Sequence, residues 1–287
     1  KYPDSAAIAR SSKSVAINLD GLTADMIKAK ADPAAINQNL RKISRYYSKW
    51  LNLAPALQMR ITLGDVLSVA EALYMIAKQI NGLDETMTSF LDLKGKTIPE
   101  KQFFIDAAFV HTLLVDGKVG KLPEKDRISL MTRLARCYSF TAEDAGGWEK
   151  AKDHYEATLK TFKLVDPSGH INDGVLNAHR ELLGVYLEMG HVFYELGRKG
   201  QKFQFDNAST VFGNVVRVTQ GGSEPWWMAK YLVLAVLFER GNAEDVKMAK
   251  IGLENLERNY PDFDGGKFGV KEKCLELKKK VVQVTGK

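Results

Sequence analysis

The sequence predicts an all-α fold of stacked helix pairs, an α-solenoid, and three observations support that prediction. Three stretches of the C-terminal half repeat one helix-pair pattern of large and small residues at fixed positions. Elsewhere, apolar residues recur at the three- and four-residue intervals of an amphipathic helix, and no strand-like alternation of useful length is found. The 287 residues include only 8 prolines, most of them near segment ends, so long stretches can remain helical.

The N-terminal region predicts one clear helix after an ambiguous segment. Residues 6–30 fit no single element, and Asn18–Thr23 is predicted to be a turn. Ala34–Leu53 is predicted to be a helix, because its large apolar residues share one face and its basic residues another. The apolar face contains Ile36, Leu40, Ile43, Tyr47 and Trp50, and the basic face contains Arg41, Arg45 and Lys49. We favour a helix whose apolar face is buried and whose basic face is solvated over one whose aromatic side chains stack on a nucleic acid.

The next helices are bounded by local end signals. Pro55–Asn81 is either one long helix or two helices with a break near Gly64-Asp65, and Asn81-Gly82 is a C-cap signal. Ile98-Pro99-Glu100 opens a helix that reaches about Val115, where a loop follows.

In the repeated pattern, the first helix carries large residues around a small one. The second helix carries Ala followed by two larger residues. The first copy has Met131, Leu134, Ala135 and Tyr138, then Ala151, Tyr155 and Thr158. The second has Tyr186, Met189, Gly190 and Phe193, then Ala208, Phe212 and Val215. The third has Tyr231, Leu234, Ala235 and Phe238, then Ala249, Leu253 and Leu256, followed by Pro261. Because small residues allow close approach, we expect Gly190 and Ala235 to lie where paired helices touch.

These residues resemble the tetratricopeptide repeat over roughly residues 127–262. The resemblance implies a right-handed α-solenoid of stacked antiparallel helix pairs, with a concave groove lined by the first helix of each pair. Equivalent alanines are 57 residues apart between the first two copies and 41 between the last two, against about 34 in the standard unit. We attribute the excess to longer loops at Ala142–Gly147 and Arg198–Asp206, and to an extended first helix in the second copy.

The resemblance also implies which side chains face a bound partner. Carried over residue by residue, these are Thr132, Arg136 and Ser139 in the first copy, His191, Tyr194 and Glu195 in the second, and Glu239 and Arg240 in the third. Their mixed charges favour a polar or peptide-like ligand over a lipid. We therefore expect a non-enzymatic scaffold that binds a protein or peptide partner in this groove and needs no cofactor.

We expect three parts in the chain. Residues 1–122 form a helical region that is continuous with the solenoid. Residues 123–266 form the three helix pairs, and residues 267–287 form a basic C-terminal capping helix. Pro123 stands in a favourable position to begin the first pair, and the last helix is expected at Phe268–Val282. Lys1–Asp4 matches Asn259–Asp262, the exit of the third copy. If the two are equivalent, the chain is a fragment of a longer repeat array.

The uneven charge leaves a second function open. Residues 1–51 carry nine Lys/Arg and four Asp/Glu, residues 52–266 carry 25 and 29, and residues 267–287 carry seven and two. One interpretation of the basic ends is that the protein is an adaptor for anionic surfaces. The preferred interpretation is that the C-terminal end is a solvated cap, in which Lys278–Lys280 complement the helix dipole. Nucleic acid is a disfavoured partner. The longest apolar run, Tyr231–Phe238, falls short of the ~20 residues that cross a bilayer, so no transmembrane segment is expected.

No residue pattern predicts a catalytic or metal site. Gly95-Lys96-Thr97 resembles the end of a phosphate-binding loop, but Phe90 stands where that loop needs glycine. The five histidines include no HxxxH or HExxH pair. Asp262 and Asp264 resemble the start of a calcium loop whose later ligands are missing. A helical module of a larger enzyme or enzyme complex stays an alternative, because an active site can be assembled across helices.

The cysteines and one tryptophan pair are expected to be structural. Cys137 and Cys274 lie far apart with no CxxC or histidine partner, which is typical of small core residues. Trp226-Trp227 opens the third copy, and adjacent helical residues point about 100° apart, so at most one of the two is expected to be fully buried. The pair is expected to wedge between neighbouring repeats.

Overall fold

The computed structural model describes residues 5–29, 31–56, 62–83, 100–166, 170–261, 263 and 268–286. These residues form twelve α-helices, and their only extended pairing is an isolated antiparallel bridge between Val165 and Ile171. The predicted all-α fold is confirmed. The helices are α1 (Ser5–Lys28), α2 (Pro33–Ala56), α3 (Leu63–Ile80), α4 (Lys101–Val115), α5 (Glu124–Thr141), α6 (Ala145–Thr161), α7 (Asp173–Ala178), α8 (Glu181–Arg198), α9 (Gln204–Val218), α10 (Glu224–Arg240), α11 (Ala243–Asn259) and α12 (Val270–Thr285).

The described residues fall into two compact units, residues 5–83 with 100–141, and residues 142–286. In the first unit α2 packs on α1 and α3, and α4 packs on α3 and α5. In the second unit α8 packs on α6, α9 and α10, while α10 also packs on α9, α11 and α12. Adjacent helices therefore pack pairwise within each unit. The boundary falls between α5 and α6, the two helices of the first predicted pair, so the structure places each of these helices in its own unit.

In the first unit, α1 and α2 form a hairpin of long helices. The five apolar residues predicted to share a face of α2 are all buried. The turn predicted at Asn18–Thr23 is wrong, because α1 continues through it. Its polar Asp20 and flexible Gly21 lie on the exposed side, whereas Ala16 and Thr23 are buried. Packing of the buried side thus outweighs the local preference of these residues for a turn.

The ends of α3 follow the predicted signals. The Thr62 hydroxyl accepts a hydrogen bond from the Asp65 amide at 3.2 Å, and the Asp65 carboxylate accepts one from the Thr62 amide at 3.2 Å. This capping box confirms a break near Gly64-Asp65. Of the predicted region, Pro55 and Ala56 belong to α2, α3 begins at Leu63, and residues 57–61 lie outside the described residues. Asn81 caps the C-terminal end of α3, with Gly82 at φ +64°. The predicted helix ending at Val115 is also present, as α4.

The first unit buries an ionisable side chain at its centre. His111 on α4 is fully buried, and its Nδ1 lies 2.8 Å from the Ala107 carbonyl oxygen, to which it donates. No described residue forms a hydrogen bond with its Nε2, and the ring meets Tyr74 edge-on at a centroid distance of 6.0 Å. Burial lowers the pKa of His111 to about 4, and the charge of Arg133 acts in the same direction. The imidazole is therefore neutral at pH 7.

In the second unit, α8 pairs with α9 and α10 pairs with α11 through the pattern residues. A Cβ atom on Gly190 would lie 2.6 Å from Cε1 of Phe212 and 2.7 Å from Cγ1 of Val211, so only glycine permits this approach. In the third copy the closest point is Gly252, where a Cβ would lie 2.3 Å from Cδ2 of Leu234. The expected close contact at Gly190 is confirmed. Ala235, the small residue predicted for the third pair, is buried.

The extra length between the first two copies is a folded insert, residues 162–180. The predicted extended first helix is wrong, because α7 and α8 are separate helices. The connections before α6 and before α9 span only residues 142–144 and 199–203, so neither explains the excess. Within the insert, the Asn172 amide donates to the Leu164 carbonyl at 2.7 Å beside the Val165–Ile171 bridge. Leu164 is fully buried and anchors the insert.

The prediction that at most one of the two tryptophans of the third copy is fully buried is confirmed. Trp227 is 1% exposed, whereas Trp226 retains 9% exposure. Helix α10 is contacted by α8, α9, α11 and α12, which cover it on several sides. Both rings meet Tyr260 edge-on, at 5.6 and 5.0 Å. Helix α12 packs on α10 and α11 and buries Leu277 and Val281, as expected of a capping helix.

Candidate functional site

The second unit contains an open groove of about 940 Å³ whose walls come from α6, α8, α9 and the insert. Its floor is formed by Tyr186, Met189 and Phe193, which follow one another at i, i+3 and i+7 on α8 and therefore share one face. Leu159 of α6 and Val211 of α9 line it beside them. These floor residues of α8 are the large residues of the second repeat pattern, so the same residues that define the repeat also define the groove.

Helix α6 runs antiparallel to α8. The Trp148 ring lies 6.1 Å from that of His191, and further along α6 the Tyr155 hydroxyl donates to the Glu188 carboxylate at 2.9 Å. The C-terminal end of α6, with Lys160, consequently lies toward the N-terminal end of α8.

Helix α9 is also antiparallel to α8. The Asn214 side-chain amide donates to the Tyr186 hydroxyl at 3.1 Å, near the start of α8. Near the end of α8, a Cβ on Gly197 would lie 2.6 Å from the Phe205 ring. The N-terminal end of α9 therefore meets the C-terminal end of α8, and the two ends of the groove differ in composition.

The rim of the groove is charged. Lys160 and Lys163 are exposed at one end, and neither takes part in an ion pair with the part of the chain that the structure describes. Asp166 accepts the His170 amide at 2.9 Å within the insert. Partial loss of hydration raises the pKa of Glu156, and the neighbouring ammonium of Lys152 opposes that rise. Lys163 has φ +53°, a left-handed backbone that a non-glycine residue adopts rarely.

The predicted partner-facing residues of the first copy belong to the first unit. Thr132 and Ser139 are buried, and their hydroxyls donate to the carbonyls of Ile128 and Ala135 at 2.7 and 3.2 Å. Arg136 is half-buried. The predicted exposure of Thr132 and Ser139 to a groove is wrong, because the helix positions taken over from the repeat family point into the packed interior here.

The predicted residues of the second copy lie on a different side of α8 from the groove. His191, Tyr194 and Glu195 are buried, so their predicted exposure is also wrong. Trp148 of α6 packs against the His191 ring, and Phe205 of α9 packs against the Tyr194 ring. The Glu195 carboxylate accepts two hydrogen bonds from Arg198 at 3.0 Å, and its Oε1 lies 3.8 Å from Nε2 of His191. The Tyr194 hydroxyl donates to Glu239 at 3.3 Å. Burial, followed by the charge of Glu239, raises the pKa of Tyr194.

The predicted residues of the third copy join helices of the second unit. Glu239 and Arg240 are both half-buried. Arg240 pairs with Asp206 on α9 and donates to the Ser209 hydroxyl at 3.2 Å. The eight predicted residues are thus distributed over two units rather than collected in one exposed site, and their binding of a partner stays a prediction.

Sequence reasoning missed the groove and the buried Glu188. Glu188 is 1% exposed and is held by the Tyr155 hydroxyl described above. No local pattern distinguishes it from an exposed helical glutamate. The 57-residue spacing did indicate an insertion, but it did not show that the insert would line a groove.

The described residues offer no cluster of three or more His, Cys, Asp or Glu side chains that could hold a metal ion. The predicted core positions of Cys137 and Cys274 are confirmed, and burial raises the pKa of both thiols, so neither is an activated nucleophile. Among the helices in the described ranges, none combines the length and apolar character needed to span a bilayer. The sequence features at Lys1–Asp4 and Gly95-Lys96-Thr97, and the residues Asp262, Asp264, Gly265 and Gly266, lie outside the described residues.

No protein-family model matches the chain, and no curated protein matches its sequence. The tetratricopeptide resemblance therefore rests on the pattern residues and stays a prediction. The groove and its chemistry carry the functional argument.

Proposed function

We propose that this protein is a non-enzymatic helical-repeat scaffold that binds a segment of a protein partner in the groove between α6, α8 and α9. The observation that carries the proposal is a groove of about 940 Å³ whose floor is lined by atoms of Tyr186, Met189 and Phe193, although each of these side chains is mostly buried. Apolar grooves of this kind bind peptide segments by burying two or three anchor side chains, while the polar walls fix their orientation.

The composition of the groove favours a peptide over a small polar substrate. Enzyme sites bring several polar or ionisable groups together around a reacting atom. Here the floor is apolar, and the charged groups Glu156, Lys160, Lys163 and Asp166 are spread along the rim. The adaptor alternative has less support, because Lys278 and Lys280 at the basic C-terminal end already pair with Glu257 and Glu276.

A plug substitution tests the proposal. Thr210 is an exposed groove residue of α9 whose hydroxyl bonds to the carbonyl four residues earlier. Thr210→Trp should fill the groove without burying a charge. The matched control is Thr285→Trp, since Thr285 on α12 is exposed and makes the same kind of bond.

The measurement is selection of a random peptide library displayed on phage against the immobilised protein. We expect peptides enriched on the parent to lose enrichment on Thr210→Trp and to keep it on Thr285→Trp. Equal enrichment on the parent and Thr210→Trp, or no enrichment on the parent, would refute binding in this groove.

A further inference from the structure

Helix α2 carries four basic residues and no acidic residue over its 24 positions. Arg41 pairs with Glu100. The other three, Lys42, Arg45 and Lys49, are exposed and follow one another at i, i+3 and i+7, so they lie in a row on one face of the helix. We call these three residues the basic row. No residue in the described ranges forms an ion pair with any of them, so their charges are available to a partner outside the chain.

Helix α4 lies beside α2 and runs in the same direction. Arg41 of α2 is joined to Glu100, the residue before α4. Further along α2, the Ser48 hydroxyl donates to the Asp106 carboxylate of α4 at 3.4 Å. Both contacts advance together toward higher residue numbers, so α2 and α4 are parallel neighbours in the first unit.

The parallel arrangement places exposed apolar residues next to the basic row. Arg45 is three residues before Ser48 on α2. Phe109 is three residues after Asp106 on α4. In parallel helices that face each other, these opposite steps turn both side chains by about 60° toward the same side of the contact. Phe109 is 53% exposed there, and Ile105, one turn earlier on α4, is 49% exposed.

Helix α1 contributes a third exposed apolar residue on the other side of the basic row. The Asn39 side-chain amide of α2 donates to the Met26 sulfur of α1 at 3.2 Å. Leu22 is one turn before Met26 on α1. Lys42 is one turn after Asn39 on α2. Because α1 and α2 form an antiparallel hairpin, both steps turn toward the same side of their contact. Leu22 is 54% exposed, so the basic row lies between an apolar edge on α1 and another on α4.

The carboxylates around this face leave it with a net positive charge. Asp106 of α4 lies beside the basic row. The two acidic residues of α1 point elsewhere. Burial raises the pKa of Tyr47 on the buried face of α2, and the charge of Asp20 adds to that rise, so Asp20 lies toward the core. Asp25 is turned about 60° further round α1 than Leu22, away from α2. Three cations therefore face one carboxylate.

We propose that this face of the first unit binds the surface of an anionic phospholipid bilayer. The ammonium and guanidinium groups of the basic row meet the anionic lipid head groups, and Leu22, Ile105 and Phe109 enter the boundary between head groups and acyl chains. Helix α2 then lies in the plane of the interface. The inference goes beyond the proposed function and does not rest on the groove, which belongs to the second unit.

Other occupants fit this face less well. The axes of packed helices are about 8–10 Å apart, so Leu22 on α1 and Phe109 on α4 are separated by roughly 20 Å across α2. A peptide places its anchor side chains in a groove, and side chains spread over three helices do not form one. A nucleic acid strand stacks its bases on aromatic rings, whereas two of the three exposed apolar side chains are aliphatic. A bilayer contacts all of them together.

The test is cosedimentation of the protein with vesicles of equal parts phosphatidylserine and phosphatidylcholine, compared with vesicles of phosphatidylcholine alone. The parent should sediment with the mixed vesicles and stay in solution with the neutral ones, and high salt should weaken the binding. Lys42→Gln/Arg45→Gln/Lys49→Gln should bind about 100-fold more weakly, since each cation near an anionic membrane strengthens binding about fivefold. Arg45→Gln alone should bind about fivefold more weakly, which keeps the test decisive if the triple variant does not fold.

The matched control removes the same charge from another helix. Lys247→Gln/Lys250→Gln/Arg258→Gln replaces two lysines and one arginine of α11, and none of the three has an ion-pair partner among the residues whose structure is described. Helix α11 also carries four acidic residues, so it presents no basic face. This control should bind the mixed vesicles as tightly as the parent.

A fluorescence measurement tests the apolar edges separately. The four native tryptophans are buried, so a tryptophan placed at an exposed position reports its own surroundings. Phe109→Trp should be quenched when the acyl chains of the mixed vesicles carry bromine, because the ring enters the bilayer. Phe203→Trp, at a 64% exposed position of the second unit, should not be quenched.

Bilayer binding is overturned if the parent does not sediment with the mixed vesicles, or if the basic-row variants bind as tightly as the parent. Binding without quenching of Phe109→Trp would leave the apolar edges outside the bilayer and overturn it as well. If the parent ignores vesicles but binds polyglutamate through the basic row, the partner is an acidic protein segment instead. Peptide selection against the groove is unaffected by these results, so this inference and the proposed function fail separately.

Discussion

Gly190 provides the sharpest test of the repeat packing, because alanine there should destabilise a helix that alanine normally favours. The added Cβ would lie 2.6 Å from Cε1 of Phe212 and 2.7 Å from Cγ1 of Val211. Carbon atoms in contact prefer separations of about 3.5–4.0 Å, so α8 and α9 must move apart by roughly 1 Å or their side chains must leave their preferred rotamers. Overpacking of this size costs about 1–3 kcal/mol.

The gain in helix propensity opposes that cost. Replacing glycine by alanine within a helix contributes about 0.5–1 kcal/mol. We therefore expect Gly190→Ala to lower the free energy of unfolding by about 1–2 kcal/mol, with a larger loss for Gly190→Leu. Gly213 is the matched control, because it lies in α9 with nothing within 4 Å of its Cβ position. Gly213→Ala should stabilise the protein.

The assay is urea unfolding followed by circular dichroism at 222 nm for the parent and both variants. The two alanine substitutions should change stability in opposite directions. If Gly190→Ala is as stable as the parent or more so, α8 and α9 do not touch at this residue and the assigned repeat register is wrong.

Three further predictions concern buried groups. Burial holds the pKa of His111 near 4 in the folded protein, whereas the pKa is about 6.5 in the unfolded chain. The stability that neutral His111 contributes is therefore present above pH 6.5 and is lost as the pH falls through 4. The free energy of unfolding should drop by about 2 kcal/mol more between pH 7 and pH 5 in the parent than in His111→Phe, and equal slopes would contradict this. Glu195→Lys should lower the free energy of unfolding by about 3 kcal/mol or more, because it leaves Arg198 facing a buried like charge. The control, Glu254→Lys at an exposed position of α11, should change the free energy of unfolding by under about 0.5 kcal/mol in a thermal unfolding experiment. Ala235→Leu should overpack a buried position and cost about 1–3 kcal/mol in the same urea assay.

The parts of the fold that local chemistry decides could be predicted from the sequence. The apolar face of α2 follows from its spacing, and the caps of α3 follow from the side chains of Thr62 and Asn81. The turn predicted within α1 failed because Asp20 and Gly21 favour turns only where nothing packs against the rest of the helix. Residues far apart in sequence decided that outcome.

The candidate site could be predicted only in part. The pattern residues Tyr186, Met189 and Phe193 were expected to fill space between helices, and their burial confirms that expectation. The groove beside them is lined in part by the insert, whose position the spacing alone does not give. The burial of His191 depends on Trp148 of α6, which lies more than 40 residues earlier in the chain, before the insert.

The insert also makes part of the chain exchangeable. Its two sides are joined by the Val165–Ile171 bridge and by the bond from the Asn172 amide to the Leu164 carbonyl, and its buried side chains hold this stem against the second unit. A foreign sequence grafted between Asp166 and His170 would leave those anchoring contacts intact, and it would be joined directly to Asp166, which lines the groove. The protein could in this way acquire a new ligand preference through one short segment, with every helix pair left as it is.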